Sequence, residues 1–239
     1  MIYGIRSVME ALEAGHDLEK VFIQKNLKGD LVKGLYAALG QSGSPVSSVP
    51  PEKLNRFTGK NHQGVVAFLS PVKYHDTANL VAAAFETGKV PFILMLDRVT
   101  DVRNFGAIAR TAESMGVDAI IIPSRNAAQI NSDAIKTSAG ALASLPVCRV
   151  ENLANQLKEL KNSGFHVVAC SEKGVKPIHE ATLTDPLVLV LGSEEDGISP
   201  ELLRIADEIS LVPMRGVIAS LNVSAAAAMF VYEAARQRG

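Results

Sequence analysis

The chain has 239 residues, of which 47% are hydrophobic and 21% charged, enough to fill the core of one large α/β domain or two smaller ones. Its formal net charge of −1 argues against a protein that coats nucleic acid by charge alone. No apolar run approaches the ~18 residues of a membrane span, and the start of the chain lacks the apolar segment of a secretory signal. We therefore expect a cytoplasmic protein.

The first 71 residues form one compositional unit in which helical and extended patterns alternate. Helices are predicted over residues 7–14 and 31–39, each followed by a glycine, and buried strands over residues 21–23 and 65–69. This alternation within about seventy residues predicts a small α/β domain over residues 1–71.

Charge is unevenly distributed along the chain. Residues 1–75 carry nine Lys and Arg against six Asp and Glu, a net charge of +3, whereas residues 92–239 carry fourteen against seventeen, a net charge of −3. An RNA-facing front domain on an acidic catalytic body would have this distribution, and so would a chance arrangement of a few charges.

Residues 72–90 have the composition of a linker with an alanine-rich helical middle, and a regular alternation begins at Pro91. The predicted strands are short and apolar on both faces, as parallel strands covered on both sides are: residues 92–96, 119–122, 166–169, 187–191 and 209–212. Helices are predicted between them: residues 105–115, 132–143, 153–161, 200–205 and 223–236. A doubly wound parallel sheet is therefore predicted over residues 91–239.

Several common kinds of site are missing from the sequence. No two glycines lie two residues apart, and no Gly-x₄-Gly precedes Lys-Ser or Lys-Thr, which argues against dinucleotide and Walker A phosphate loops. The five histidines never fall at metal-binding helical spacing with one another, and Cys-x-x-Cys and Gly-x-Ser-x-Gly do not occur. We expect no metal cofactor, and we expect Cys148 and Cys170 to be buried, reduced thiols.

Three polar segments follow predicted strands, where open α/β sheets bind their ligands. In the first, residues 96–112, Asn104 is predicted to cap the following helix. Arg110 lies six residues further on among small or apolar neighbours. An arginine in such surroundings usually pairs with an anion, and the alternative is a solvated arginine.

In the second segment, residues 187–198, an apolar strand ends at Gly192 and runs into the acids Glu194, Glu195 and Asp196. The glycine would let a ligand approach the backbone, and the alternative is a solvated acidic turn.

The third segment, residues 211–224, places Ser220 and Asn222 at the entry to an alanine-rich helix. Small hydrogen-bonding residues at this position serve either a ligand or simply the helix cap. The four alanines that follow, residues 225–228, favour helix and permit very close packing.

In this order the three segments resemble the three motifs of the SpoU/TrmH branch of the SPOUT RNA methyltransferases. The first has Asn, then Gly-Ala, then Arg-Thr-Ala; the second is Leu-Gly-x-Glu-x-x-Gly; the third is Pro-Met-x-Gly followed by Ser-Leu-Asn-Val-Ser. This resemblance covers residues 91–239. It extends to residues 1–70, where Met-Ile-Tyr-Gly-Ile and His-Gln-Gly-Val-Val-Ala are similar to the substrate domain of the RlmB type, which methylates a guanosine ribose in 23S rRNA.

The resemblance implies a parallel-sheet α/β catalytic domain, closed by a deep trefoil knot at its C-terminal end, behind a small α/β RNA-binding domain. It also implies S-adenosylmethionine as methyl donor, bound through main-chain and apolar contacts of Gly192, Val212 and Leu221. The family's enzymes are dimers, and the helix over residues 223–236 would pack either against a partner copy or internally.

The resemblance assigns the methyl acceptor, a ribose 2′-hydroxyl, to Arg110. Because a guanidinium is almost never deprotonated, stabilising the developing alkoxide or binding the adjacent phosphate suits Arg110 better than accepting the proton. Asn104, Glu194, Ser220 and Asn222 would orient Arg110 and the ribose.

The sequence departs from the family pattern in two places. Asp101-Val102 stands where relatives commonly have Asp-Pro, and the second motif contains Ser193 and two successive acids. Since the catalytic positions still match one for one, we expect an active enzyme rather than a noncatalytic RNA-binding assembly factor. The alternative substrate is tRNA, although the front domain favours rRNA because minimal tRNA-modifying relatives lack it.

Overall fold

The computed structural model describes residues 1–217 and 220–239, so Ile218 and Ala219 of the third motif segment lie outside the described residues. Contacts between residues divide the chain into a front unit, Met1–Lys73, and a second unit, Tyr74–Gly239. Among the described residues, no helix combines the length and the apolar character needed to cross a membrane.

The front unit is a four-stranded mixed sheet with helices on both faces. Its strands, in the spatial order β1-β4-β2-β3, are β1 (Ile2–Tyr3), β2 (Leu18–Gln24), β3 (Val46–Val49) and β4 (Val65–Leu69). Its helices are α1 (Ile5–Glu13), α2 (Asp30–Gln41) and α3 (Pro51–Phe57). Alternation along β4 sends Val65 and Ala67 into one apolar core, with residues of α1 and α2, and Val66 and Phe68 into a second core, with residues of α3.

The second unit contains an eight-stranded sheet in which all the strand pairs are parallel. In the spatial order β10-β12-β9-β11-β6-β7-β8-β5, its strands are β5 (Tyr74–His75), β6 (Phe92–Leu96), β7 (Ala119–Pro123), β8 (Val147–Val150), β9 (His166–Cys170), β10 (Lys176–Pro177), β11 (Leu187–Leu191) and β12 (Glu208–Leu211). Its α-helices are α4 (Thr77–Glu86), α5 (Val102–Ser114), α6 (Ser132–Thr137), α7 (Leu153–Asn162), α8 (Pro200–Ile205) and α9 (Val223–Arg238). Every residue of β6 and β11 is buried, as expected for central strands covered on both faces.

The register of the central strands brings their carboxyl ends to one level. Leu191 pairs with Leu96 on one side and with Cys170 on the other, and Ser210 of β12 also pairs with Cys170. The loops that follow β6, β9, β11 and β12 therefore leave the sheet at the same edge, which is where the three motif segments meet.

The structure differs from the sequence-based elements in several places: β1, β3, α3 and β10 were not predicted, and three further differences concern the second unit. Residues 72–90, expected to be a linker with a helical middle, instead form part of the second unit, since they contain β5 and since Val81 of α4 is buried in that unit's core. Residues 132–143, expected to be one helix, break after α6 because the chain turns through positive φ at Ala139 and Gly140. The short strand β8 was missed, because four residues that include Arg149 carry little apolar signal.

Candidate active site

A cavity of about 420 Å³ lies at the carboxyl edge of the sheet. Its lining comes from the segments after β9, β11 and β12 and from the start of α9: residues 170–173, 191–197, Val212, Met214, Ser220, Leu221, Val223, Ala226 and Phe230. Five of the residues that the family resemblance assigns to the site are among them, namely Gly192, Glu194, Val212, Ser220 and Leu221.

Glycine at position 192 is required by the fold of the loop itself. Residues Ser193 and Gly197 exchange two backbone hydrogen bonds of 3.1 and 3.0 Å, which close the loop on itself. A Cβ at position 192 would lie 2.1 Å from the carbonyl carbon of Gly197. The sequence suggested that Gly192 lets a ligand approach the backbone closely. In the structure, the group that approaches Gly192 closely is the protein's own backbone at Gly197, and main chain forms this wall of the cavity.

Three polar side chains from three different segments meet beside the cavity. The side-chain amides of Asn104 and Asn222 both donate to Glu194 Oε1, at 2.8 and 2.5 Å. Asn222 Nδ2 also lies 3.1 Å from Asn104 Oδ1, to which it donates. Since Glu194 itself lines the cavity, this amide–carboxylate cluster places a fixed negative charge at its wall.

The prediction that Asn104 caps α5 is wrong. The cap is Asp101, whose Oδ1 accepts from the backbone N–H groups of Arg103 and Asn104, both at 2.8 Å. Asn104 is the third residue of the helix. Because Asp101 satisfies the free N–H groups of Arg103 and Asn104, the Asn104 side chain is left for Glu194.

Asn222 does cap its helix and takes part in the cluster as well. Its Oδ1 accepts from the backbone N–H of Ser224 at 2.9 Å and from the Ser224 hydroxyl at 2.6 Å, while its Nδ2 faces Glu194. The two contacts of Oδ1 orient the amide. Asn222 therefore both caps its helix and belongs to the cluster at the site.

An ion pair between buried Asp97 and partly exposed Arg98 fixes the acidic loop against the end of β6. Asp97, 5% exposed, accepts from the backbone N–H of Ser199 at 2.7 Å and from Arg98 Nε at 3.2 Å. Arg98 also donates to Asp196 and to the carbonyl of Gly197, so one guanidinium holds both sides of the loop. The hydrogen bond to Asp97 raises the pKa of Arg98, which keeps it charged.

Sequence reasoning did not single out Asp97 and Arg98. The available signal was the position of Asp97, an acid placed directly after a fully buried strand. Arg98 itself adopts the left-handed conformation at φ 57°, which no sequence pattern indicated.

Arg110 is an exposed residue of α5 and makes no hydrogen bond or ion pair with the part of the chain that the structure describes. It follows Asn104 by six residues, which places it about 120° around the helix and about 9 Å along it. Within one chain, the structure therefore does not bring Arg110 into the cluster of Asn104, Glu194 and Asn222.

The first motif helix lies close to its neighbour because position 106 is glycine. A Cβ there would lie 2.7 Å from the Cβ of Thr137 and 3.0 Å from the carbonyl oxygen of Ala134. This contact of α5 with α6 requires a residue without a side chain at position 106, which gives the Gly-Ala of the motif a packing role.

The two cysteines are free thiols. Burial raises the pKa of Cys148 to about 11, so it is a protonated core residue. Within residues 1–217 and 220–239, no three His, Cys, Asp or Glu side chains are grouped so that they could hold a metal ion.

Two family models match the chain. The SpoU rRNA Methylase family matches residues 91–232, more than half of the sequence, and a family described as RNA 2′-O ribose methyltransferase substrate binding matches residues 1–75.

Curated relatives align along the whole chain. A protein of Synechocystis sp. named as an uncharacterized tRNA/rRNA methyltransferase is 36% identical over 241 residues, which are 100% of this chain and 63% of that protein. This chain thus spans less than two thirds of that relative's length. A protein of Staphylococcus saprophyticus, named as a TrmH family tRNA/rRNA methyltransferase, is 35% identical over 238 residues, with 100% of this chain and 96% of the relative covered.

Solved structures share the fold. The SpoU methyltransferase AviRb from Streptomyces viridochromogenes, in complex with AdoMet, has a TM-score of 0.63 at 23% identity and covers 99% of this chain and 89% of its own. An AdoMet-bound rRNA methyltransferase from Sinorhizobium meliloti has a TM-score of 0.61 at 25% identity, over 99% and 86%. A TrmH/SpoU tRNA-modifying enzyme from A. aeolicus has a TM-score of 0.56 at 33% identity, over 67% and 83%.

These matches confirm the predicted fold class, the parallel-sheet α/β fold of the SpoU methyltransferases following a small N-terminal α/β domain in the chain. They also confirm the prediction of an RNA ribose methyltransferase. By its motifs, by the cavity they surround and by the match over residues 91–232, the chain belongs to the SpoU rRNA methylase family.

Proposed function

We propose that the chain transfers a methyl group from S-adenosylmethionine to the 2′-hydroxyl of a guanosine ribose in 23S rRNA, in the cytoplasm and as a homodimer. The observation that carries the proposal is the position of Glu194, which lines the cavity and is held by the amides of Asn104 and Asn222. It is supported by membership of the SpoU family and by the AdoMet bound in two structures of the same fold.

The cavity fits this donor in size, polarity and charge. Its volume of about 420 Å³ is within the range of small-molecule sites. Val212, Leu221 and Phe230 supply an apolar surface for an adenine ring, and the main chain at Gly192 supplies polar groups. The charged lining residues are four acids and one lysine, which favours a positively charged ligand such as a sulfonium: Glu172, Lys173, Glu194, Glu195 and Asp196.

The donor supplies an activated methyl group on a cationic sulphur, so the protein's task is to orient the ribose and to manage the hydroxyl proton. Asn104 and Asn222 both donate to Oε1 of Glu194, which fixes the carboxylate and leaves Oε2 for another donor. We assign the orientation of the ribose to this cluster and to Ser220, which lines the cavity.

Arg110 completes the site when RNA is bound, according to this proposal. It is an exposed cation with no partner among the described residues, so the strongly acidic RNA backbone is a suitable ligand. We assign it to the phosphate next to the reacting ribose or to the developing alkoxide.

An exposed apolar stripe on α9 supports a second copy as partner. The buried face of α9 packs against α5 within the second unit, so that face packs internally rather than against a partner copy. On the other side, Met229 is 44% and Tyr232 is 58% exposed, at the spacing of neighbours on one helix face.

The front unit favours rRNA over tRNA as the substrate. The rRNA methyltransferase from S. meliloti aligns with 99% of this chain, whereas the tRNA-modifying enzyme from A. aeolicus aligns with 67% of it. The third of this chain that does not align with the tRNA-modifying enzyme offers additional surface for a larger RNA. Guanosine and 23S rRNA are proposed from the resemblance of residues 1–70 to the RlmB type.

The test is to map 2′-O-methylation by mass spectrometry in rRNA and tRNA from cells without the gene. Cells complemented with wild type and with Arg110→Ala serve as controls. We expect the loss of one 2′-O-methylguanosine in 23S rRNA, restored only by wild type. Loss confined to tRNA would reassign the substrate, and unchanged methylation in both RNAs would overturn the activity.

A further inference from the structure

Four basic residues of the front unit surround an aromatic cluster on the α3 side of its sheet, and we call Lys20, Lys53, Arg56 and Lys60 the basic face. The rings beneath it are packed together, with centroids 4.9 Å apart for Phe22 and Phe57 and 5.4 Å apart for Phe57 and Phe68. A groove lined by Pro50, Glu52, Lys53, Arg56 and Phe57 runs along α3.

Three of the four cations of the basic face, the lysines, lie over aromatic rings, and Arg56 lines the groove beside them. The ammonium groups of Lys20 and Lys53 lie 5.4 and 5.2 Å from the centroid of Phe22, and that of Lys60 lies 6.0 Å from the centroid of Tyr3. None of the four basic residues forms an ion pair with a described residue. A cation–π contact orients a lysine but leaves its charge uncompensated.

On the side of the sheet covered by α1 and α2, basic residues lie close to acids. Arg6 on α1 and Lys33 on α2 lie there, and Lys33 is paired with Asp30 at 3.1 Å. The acids Glu10 and Glu13 are also on α1. On the α3 side, by contrast, the acid that lines the groove beside the four cations of the basic face is Glu52.

We infer that the basic face is the surface through which the front unit binds the phosphate backbone of structured RNA. Uncompensated cations held at fixed positions by rings neutralise phosphates with little loss of side-chain freedom, and each neutralised phosphate releases counterions. The inference rests on the proposed function, because it takes the RNA substrate as the ligand. It goes further by naming the face, the residues and the phosphate chemistry.

The experiment compares two full-length variants that each lose one lysine and one arginine from helices of the front unit. Lys53→Gln/Arg56→Gln removes charge from the basic face, and Arg6→Gln/Lys33→Gln removes the same charge from the other side. All four side chains are exposed, so thermal melts are expected to match wild type. Affinity for a 23S rRNA transcript is measured by filter binding from 50 to 200 mM salt, with donor affinity measured in parallel.

The basic-face variant is expected to bind RNA on the order of tenfold more weakly, and its log–log salt slope is expected to fall by about 1.4–1.8, for two phosphates. The matched variant should stay within about twofold of wild type, and donor affinity should not change in either. Equal losses in both variants, or an unchanged slope in the first, overturns the inference; a Lys60→Gln variant repeats the test if the double variant melts early.

The outcomes separate this inference from the proposed function. If wild type methylates RNA while both variants bind it alike, the basic face is wrong and the function stands. If RNA binding depends on the basic face but no RNA accepts a methyl group, the function fails and the face stands.

Discussion

At the scale of single residues, the candidate active site contains three side chains whose orientation is fixed by hydrogen bonds, and one, Arg110, that no such contact with a described residue orients. Asn104, Glu194 and Asn222 come from segments up to 118 residues apart in sequence and satisfy one another's hydrogen bonds. Arg110 carries the strongest functional expectation and has no partner within the described chain. Because Arg110 makes no hydrogen bond or ion pair with the described residues, replacing it should affect catalysis without affecting stability.

We predict that Arg110→Ala abolishes methyl transfer and leaves donor affinity nearly unchanged. Losing one preorganised charge contact typically costs on the order of 10²–10³ in rate. Arg110→Lys should rescue poorly, because a point charge on a flexible stem does not reproduce the planar fork of a guanidinium. Single-turnover methylation and calorimetric donor titration of the three proteins provide the measurement. Near-normal turnover in the alanine variant would remove Arg110 from the site, and a parallel loss of donor binding would make it structural.

At the scale of elements, one loop and one helix hold the cavity together. The loop after β11 closes through Ser193 and Gly197 and is fixed from outside by Arg98. Helix α9 supplies Val223, Ala226 and Phe230 to the cavity. A substitution that distorts either element should therefore weaken donor binding by changing the shape of the cavity, even where the substituted side chain does not contact the donor.

Gly192→Ala should destroy donor binding and destabilise the second unit, because its Cβ would overlap the backbone at Gly197 at 2.1 Å. We expect a loss of several kcal/mol, as for severe overpacking against main chain. The matched control is Gly40→Ala in α2, where an added Cβ meets no atom within 4 Å. Denaturant unfolding and donor titration are the readouts. A Gly192→Ala protein with wild-type stability would show that the loop can relax.

The last turns of α9 predict a pH dependence of stability. Arg236 donates to both carboxylate oxygens of Glu233, and this hydrogen bonding lowers the pKa of Glu233 to about 2 from the ordinary 4.5. A lowered folded-state pKa stabilises the fold above pH 4.5, and that contribution disappears as the pH falls from 4.5 towards 2.

Glu233→Gln should accordingly destabilise the protein at pH 7, and the difference from wild type should shrink as the pH is lowered from 4.5 towards 2. Glu201→Gln, at an exposed position of α8, is the control and should change little at any pH. Urea unfolding at pH 7, 5 and 3 measures this. A difference that is constant with pH would show that packing, and not ionisation, accounts for the effect.

At the scale of the whole molecule, the boundary between the units decides how the protein can be divided. The sequence places a linker over residues 72–90, yet α4 lies in that stretch and buries Val81 in the second core. The unit boundary at Lys73 instead keeps α4 with the sheet it covers. A cut after residue 90 would expose that core.

Residues 74–239 alone should fold and bind the methyl donor with near-wild-type affinity but methylate 23S rRNA fragments poorly. The cavity residues all belong to the second unit, whereas the basic face belongs to the front unit. Residues 91–239 should be less stable than residues 74–239, because they lack α4. Melting curves, donor titration and turnover on the same RNA test both statements. Equal turnover of the truncated and full-length proteins would contradict the role of the front unit in binding substrate.

Some elements followed from the sequence because they depend on local pattern. Strands β4, β6 and β11 have the predicted limits, since each is a run of apolar residues ended by a polar residue, glycine or proline. Other features had no local signal. The cap of α5 moved from Asn104 to Asp101, because both residue types cap helices and only the packed structure gives Asn104 a competing partner.

The sequence by itself determined the parallel sheet, the three motif segments and the residue types at the site, because periodicity and spacing are properties of neighbouring positions. Only the tertiary structure decided which of those residues meet. Contacts such as Arg98 with Asp196 and Asn222 with Asn104 join residues 98 and 118 positions apart. They arise because strand register brings distant loops to one edge of the sheet, and that register is set by packing of the whole domain.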